Sequence, residues 1–289
     1  MDNATEKIAA VVILYHPDEA VLSNIQTYYP YVQKVYVYDN TELALNTIDW
    51  SHFPKAEFHS DGRNKGLAET LNMAAAKATK DGYDWLLTMD QDSYFTQQAI
   101  KDYYQCFLEF REKSKIALFG PVFQREDPGW QADGQWQETD TLITSGALLN
   151  LRLFNEIGPF DEALFIDSVD YDYCIRAKLA GHRIIQFSTI VMLHELGFVV
   201  KRASIKSLFL IKKQKQLHPP LRFYYMFRNL LYLKAKYRHI HVPVLQEIEH
   251  GLKNTIRRNL FYGRNNAMLI QYLVLAYKHY KKNQMGRYR

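Results

Sequence analysis

Several apolar runs in this chain are continuous instead of alternating, and two of them stop at acids. Ile8-Ala-Ala-Val-Val-Ile-Leu-Tyr15 has no polar residue until His16-Pro17 ends it. Val35-Tyr-Val-Tyr38 stops at Asp39-Asn40, and Trp85-Leu-Leu-Thr-Met89 stops at Asp90-Gln91-Asp92. A strand that is apolar at every position is buried on both faces, which occurs in parallel sheets covered by helices. The chain is therefore predicted to fold as an α/β protein, with acids at the carboxyl edge of its sheet, where open α/β sheets bind ligands.

The intervening segments fit that scheme. Helices are predicted over Asp18–Tyr29, from Asn64 (as N-cap) through Ala78, and over Thr96–Lys113, with a short strand at Glu57–His59. Ile116–Phe119 is a further strand, closed by Gly120-Pro121. The polar segment Gln124–Gln137, carrying Trp130 and Trp136, reads as a loop or hairpin, and Thr144-Ser-Gly-Ala-Leu-Leu149 as the beginning of a strand. Helices near Arg152–Ile157 and over Asp170–Ala180 follow, the second ended by Gly181. Arg183–Phe187 and Ile190–Leu193 are predicted as two short strands. Regular β-α alternation through residue 115 predicts a parallel sheet, with mixed connections afterwards. Beyond Pro219-Pro220 the pattern is helical to the end.

The chain has 289 residues, 47% of them hydrophobic, enough for one large α/β domain with an appendage. Two distant cysteines, Cys106 and Cys174, make neither a disulfide framework nor a zinc site and read as packed thiols. With no signal peptide and no run of eighteen apolar residues, the expectation is a cytoplasmic protein without a span. Residues 201–289 carry 20 Lys and Arg against 2 acids, whereas residues 1–200 carry 16 against 29, which reconciles with the overall +5. The basic residues alternate with Phe, Tyr and Leu. That composition suits an anionic membrane surface on the inner face of the cell membrane, or a solvated helix face; a nucleic-acid partner is not expected. The same aromatics could serve a homodimer.

Asp90 and Asp92 are one residue apart and repel each other unless a cation lies between them. A hard divalent ion that keeps several waters and also grips a diphosphate would relieve that cost. The alternative is a solvated turn after a strand. The chain has neither a Walker A loop nor a G-x-G-x-x-G run, so a P-loop or dinucleotide-binding reading lacks support.

Taken in order, Val11-Val-Ile-Leu-Tyr-His-Pro17, Tyr38-Asp-Asn40, Asn64-Lys-Gly-Leu-Ala68, Met89-Asp-Gln-Asp-Ser93, Thr144-Ser-Gly-Ala-Leu148, and Phe160-Asp-Glu162 with Val169-Asp-Tyr-Asp-Tyr-Cys-Ile-Arg-Ala177 resemble family 2 glycosyltransferases of the GT-A fold. Within that family the likeness is to bacterial rhamnosyltransferases of surface-polysaccharide biosynthesis, over about residues 8 to 235. The resemblance implies a Rossmann-like, mostly parallel central sheet flanked by helices in a catalytic domain over residues 1–200. Its nucleotide-sugar half would cover about 1–95 and its acceptor half about 96–200, followed by a basic helical C-terminal region over 201–289.

It also implies roles. Tyr15, Asp39, Asn64, Lys65 and Asp90 would bind the nucleotide-sugar, with Asp39 accepting the base's imide N–H and Asn64 to Gly66 placing N–H groups and a cation on the diphosphate. Asp92 would hold Mg2+ or Mn2+, with His194 completing the site. Asp170 would be the catalytic base, although the chain reads Val169-Asp170 where many relatives read Glu-Asp. Asp172, about 200° round the helix from Asp170, is expected to cap or to pair with Arg176 instead. Ser145 and Gly146 would form the floor beneath the acceptor, and Trp130 would stack on an acceptor sugar unless it is local packing. The implied activity is inverting transfer of a sugar, with L-rhamnose from dTDP-rhamnose favoured, onto a growing polysaccharide or lipid-linked glycan. A UDP-hexose or UDP-galactofuranose transferase, a metal-dependent nucleotidyltransferase, and a non-catalytic nucleotide- or glycan-binding protein are the competing readings.

Overall fold

The computed structural model describes residues 6–43, 48–123, 135–194, 199–203, 212–263 and 265–288. Strand β1 (Ile8–Leu14) lies between β2 (Lys34–Asp39) and β4 (Trp85–Asp90), parallel to both, and β3 (Ala56–Ser60) extends the sheet beyond β2. The continuous apolar sequence of β1 has the expected consequence: Ala9, Ala10 and Val11 are wholly buried. Helices α1 (Ala20–Tyr28), α2 (Gly66–Lys80) and α3 (Gln97–Glu109) make the crossovers. Along α2, Ala68, Leu71, Ala75 and Ala78 are buried at three- and four-residue spacing, and their small side chains let the helix lie close to its neighbours.

Beyond β4 the sheet becomes mixed, as the sequence predicts. Strand β8 (Ala147–Asn150) runs antiparallel between β4 and β6 (Ile116–Phe123), and β9 (Arg183–His194) runs parallel to β6. Two short strands, β5 (Ser93–Tyr94) and β7 (Gln137–Glu138), pair antiparallel with β9. The full order is β3-β2-β1-β4-β8-β6-β9-β5, with β7 also on β9. The chain leaves β1 first toward β2 and β3 and later places β4 on the other side. The topological switch, where α/β sheets open a crevice, therefore lies at the carboxyl ends of β1 and β4.

Helices α4 (Leu151–Ile157) and α5 (Val169–Leu179) complete this unit, residues 1–165 and 169–194. Its core joins the strands to an aromatic cluster in which Phe119 and Phe187 stack at 5.4 Å and Trp85 meets Phe107 edge-on at 5.1 Å. The strands expected at Arg183–Phe187 and Ile190–Leu193 are one strand. Its register against β6 slips between Pro121, opposite Phe187, and Val122, opposite Val191, so the polar Ser188-Thr189 break is an irregularity within a continuous ladder.

The second unit comprises residues 166–168 and 195–289. The basic region is not wholly helical: it contains an antiparallel ribbon of β10 (Val199–Ala203) and β11 (Lys212–Gln216). Then come α6 (Pro220–Lys236), α7 (Pro243–Tyr262) and α8 (Asn266–Lys281), packed around Phe223, Leu230, Leu252 and Leu269. Arg228 is fully buried, its Nη1 donating to the Gly286 carbonyl at 2.7 Å and its guanidinium lying 5.1 Å from the Tyr224 ring. The neighbouring Asn229, equally buried, donates from Nδ2 to the carbonyls of Ile166 (2.7 Å) and Asp167 (2.8 Å). No helix among the described residues is long and apolar enough to cross a membrane.

Candidate active site

The sheet register gathers Tyr15, Asp39 and Asp90, three of the five residues predicted to bind the nucleotide-sugar, at one edge. Leu14 is paired with Asp39 and Ile13 with Asp90, so the two acids end the strands on either side of β1, roughly 10 Å apart across two strand spacings. Asp39 is buried, and its Oδ1 accepts the Thr41 N–H at 2.8 Å; the Thr41 hydroxyl in turn accepts the His16 N–H at 2.8 Å. Tyr15, half-exposed at the end of β1, donates its N–H to Gln91 Oε1 (2.8 Å), and its carbonyl accepts from Gln91 Nε2 (3.1 Å). Asn24, on α1, donates from Nδ2 to the Gln91 carbonyl at 2.9 Å. Gln91 thus clasps the end of β1 as another strand would. Spacing gives no sign of this contact, because the partners lie 76 residues apart.

The residue after the acidic pair explains the next contact. Ser93 pairs with His194 across β5 and β9, and that places His194 Nδ1 3.2 Å from Asp92 Oδ1 and 3.0 Å from Ser93 Oγ. Asp92 and His194, predicted to act together from positions 102 apart in sequence, are in contact. Among the described residues no three His, Cys, Asp or Glu side chains are placed to hold a metal ion. A carboxylate beside an imidazole, both about two-fifths exposed (41% and 35%), nevertheless fits an ion whose remaining ligands are diphosphate oxygens and waters.

On the other side of β4, the Asp90 N–H donates to Ser145 Oγ at 3.1 Å, and the Gly146 N–H to the Thr88 carbonyl at 2.7 Å. The predicted acceptor floor is therefore bonded directly to the acidic strand end. Residues 144–146 form the turn that leads into β8, which begins at Ala147, three residues later than the predicted strand start. Gly146 needs to be glycine on two counts: its φ is +78°, and a Cβ there would lie 2.6 Å from Met192 Sδ and 2.9 Å from Pro121 Cγ.

Asp170 stands in the first turn of α5, its Oδ1 accepting the Tyr171 N–H at 2.9 Å. With Thr88, Thr144, Phe160 and Tyr173 it lines a small cavity of about 10 Å³, which sets it beside the same turn that carries Ser145. Asp172 is fully buried and paired with Arg176 Nε at 2.9 Å, the pairing its position on the helix predicts. The Arg176 guanidinium also donates to the carbonyls of Ile157, Gly158 and Pro159, so this acid is spent on structure. Burial pushes the Cys174 thiol up to about 12, and Cys106 is also raised by burial, as expected for packed thiols and not for nucleophiles.

The loop expected to hold a diphosphate departs from expectation. Helix α2 starts at Gly66, with Lys65, not Asn64, in the capping position, and Asn64 Oδ1 accepts the Gly66 N–H at 3.0 Å in a local turn. The next amide, Leu67 N–H, already donates to the Phe165 carbonyl at 2.7 Å. This helix opening is therefore tied to the chain ahead of α5, and its Leu67 N–H is not offered to an anion. Lys65 is paired with Asp61 at 2.5 Å, and that pair with Arg63 holds the Asp61 carboxyl down at about 2. Trp130 lies outside the described residues. Trp136 meets Phe110 edge-on at 5.2 Å and has Arg183 5.8 Å from its ring, so it is packed locally.

The fold is the GT-A fold of the solved glycosyltransferases that the chain resembles. Among solved structures the chain is similar to GalNAc-T7 with UDP, GalNAc and Mn2+ (TM-score 0.55, 10% identity, 67% of this chain and 44% of that one). It is also similar to S. aureus TarS 1-349 in complex with UDP-GlcNAc (TM-score 0.51, 14% identity, 95% and 80%). At such identities the likeness is one of fold, and this chain spans less than half the length of the GalNAc-T7 chain. Among curated proteins it is 28% identical over 275 residues to dTDP-rhamnosyl transferase RfbF of Shigella flexneri, covering 88% of this chain and 87% of that protein. No protein-family model matches the chain.

Proposed function

We propose that this protein transfers L-rhamnose from dTDP-rhamnose, with inversion, to a hydroxyl of a growing surface polysaccharide or lipid-linked glycan. The observation that carries the reading is the contact between Asp92 and His194 at the carboxyl end of β4, with Asp90 bonded to Ser145 beside it. The sugar and its nucleotide rest on the likeness to the Shigella flexneri rhamnosyl transferase.

In this reading Asp39 and Tyr15 receive the nucleoside at the ends of β2 and β1. Asp92 and His194 would hold Mg2+ or Mn2+, an ion that when bound neutralises charge on the departing diphosphate. Lys65, ion-paired with Asp61, would supply a cation to the diphosphate. Ser145 and Gly146 set the acceptor beside Asp170. That carboxylate takes the proton from the acceptor hydroxyl as its oxygen bonds to the anomeric carbon and the bond to the diphosphate oxygen breaks. Positioning of the two substrates supplies much of the acceleration. The basic second unit would hold the enzyme at an anionic membrane surface, where a lipid-linked acceptor is presented.

Asp170→Asn tests the assignment. Transfer should fall by at least about a thousandfold, in line with the loss of a general base, while dTDP binding by calorimetry stays within about twofold. Normal turnover with weakened nucleotide binding would contradict it.

A further inference from the structure

Helix α8 turns an apolar stripe outward. Ile270, Val274 and Tyr277 are 53%, 49% and 50% exposed and follow one another at four- and three-residue spacing, with Lys281 four residues further on. That spacing keeps all four on one line of the helix. The adjoining side of α8, about 100° round the helix, is already used: Leu269 and Ala276 are buried, and Leu273 packs into the cluster that includes α6. A surface helix ordinarily shows water its polar side, so this helix is apolar where it should not be. At the end of α7, Phe261 is 81% exposed.

Charge decides among the possible occupants. Residues 250–289 carry nine Lys and Arg and no acid, and Lys278 and Lys281 stand at the end of the stripe. A second copy docked on this face, in either orientation, would meet bases with no acid from this region to pair with them. A nucleic acid would satisfy the bases but would leave Ile270 and Val274 against phosphates. An anionic bilayer satisfies both, taking apolar side chains below its headgroups and cations at them.

We propose that α8 is the membrane-docking element of this protein, with Ile270, Val274 and Tyr277 set into an anionic lipid surface and Lys278 and Lys281 on its phosphates. The proposal deepens the membrane reading given above and rests on it, but is independent of the catalytic assignment.

The test is cosedimentation of the full chain with phosphatidylcholine vesicles, with and without phosphatidylglycerol. Binding should require the anionic lipid and weaken as salt is added. Lys278→Gln and Lys281→Gln should each reduce partitioning about fivefold. Ile270→Ser with Val274→Ser should reduce it at least about tenfold with an unchanged circular dichroism spectrum, and dTDP binding should be unaltered in every variant. Equal binding to neutral vesicles, or partitioning unaffected by the two serines, would overturn the proposal. So would a dimer in sedimentation equilibrium that the serine pair dissociates. Because dTDP binding is read on the same samples, a failure of the catalytic reading is distinguishable from a failure of this one.

Discussion

At the scale of single residues, the site depends on a side chain that carries no chemistry of its own. Gln91 sits between the two acids and exchanges two hydrogen bonds with the Tyr15 backbone, while Asn24 holds its carbonyl. The ends of β1 and β4, which would receive nucleoside and diphosphate, are thereby fixed together. Each such bond contributes on the order of 1 kcal/mol, so losing the pair is worth roughly 1–3 kcal/mol of ordering at the site. Gln91→Leu is expected to raise KM for the donor about tenfold, with kcat changed far less, and steady-state kinetics separate the two. The acids themselves were legible from sequence because charge at the end of a buried strand is costly without a purpose. The role of Gln91 was not, since a glutamine's amide signals nothing until its partner, 76 residues away, is placed beside it.

At the scale of elements, the approach to α5 is bound to the opening of α2 through Phe165, whose carbonyl accepts the Leu67 N–H and whose ring lies where a side chain at Gly66 would go. Gly66 has φ +76°, and an added Cβ would lie 2.4 Å from the Phe165 ring and 2.6 Å from its carbonyl oxygen. Gly66→Ala should therefore cost about 2–4 kcal/mol, a Tm lower by roughly 5–15 °C in a thermal melt, from overpacking and backbone strain together. The sequence motif Asn64-Lys-Gly66 suggested an anion cradle, and what Gly66 provides is close packing. A backbone carbonyl carries no side-chain signal, so the bond from Leu67 N–H to Phe165 is not legible in the sequence. The parallel strands were plain because burial on both faces leaves a continuous apolar run. The β10–β11 ribbon was hidden because Lys212-Lys-Gln-Lys-Gln216 has no apolar alternation to reveal it. The insertion of β8 between β4 and β6 is likewise invisible in chain order.

At the scale of the whole molecule, charge separates an acidic front from a basic tail, and the tail contains a histidine that resists protonation. Burial, helped by Arg222 and Arg258, pushes His218 from 6.5 down to about 4. The unfolded chain binds that proton first, so the contribution of His218 to stability is full above about pH 6.5 and is lost as pH drops from 6.5 toward 4. Urea melts across that window should show the decline, and His218→Gln should make it shallower. The proposed chemistry needs the carboxyl rim of the sheet to join a cation to an activated nucleotide, and calorimetry of dTDP binding with and without Mn2+ reads that coupling. In the wild-type chain Mn2+ should tighten dTDP binding at least about tenfold, and in Asp92→Asn that enhancement should vanish. Identical dTDP affinity in the presence and absence of the ion, or an enhancement that survives Asp92→Asn intact, would rule out a cation held by Asp92 at this rim.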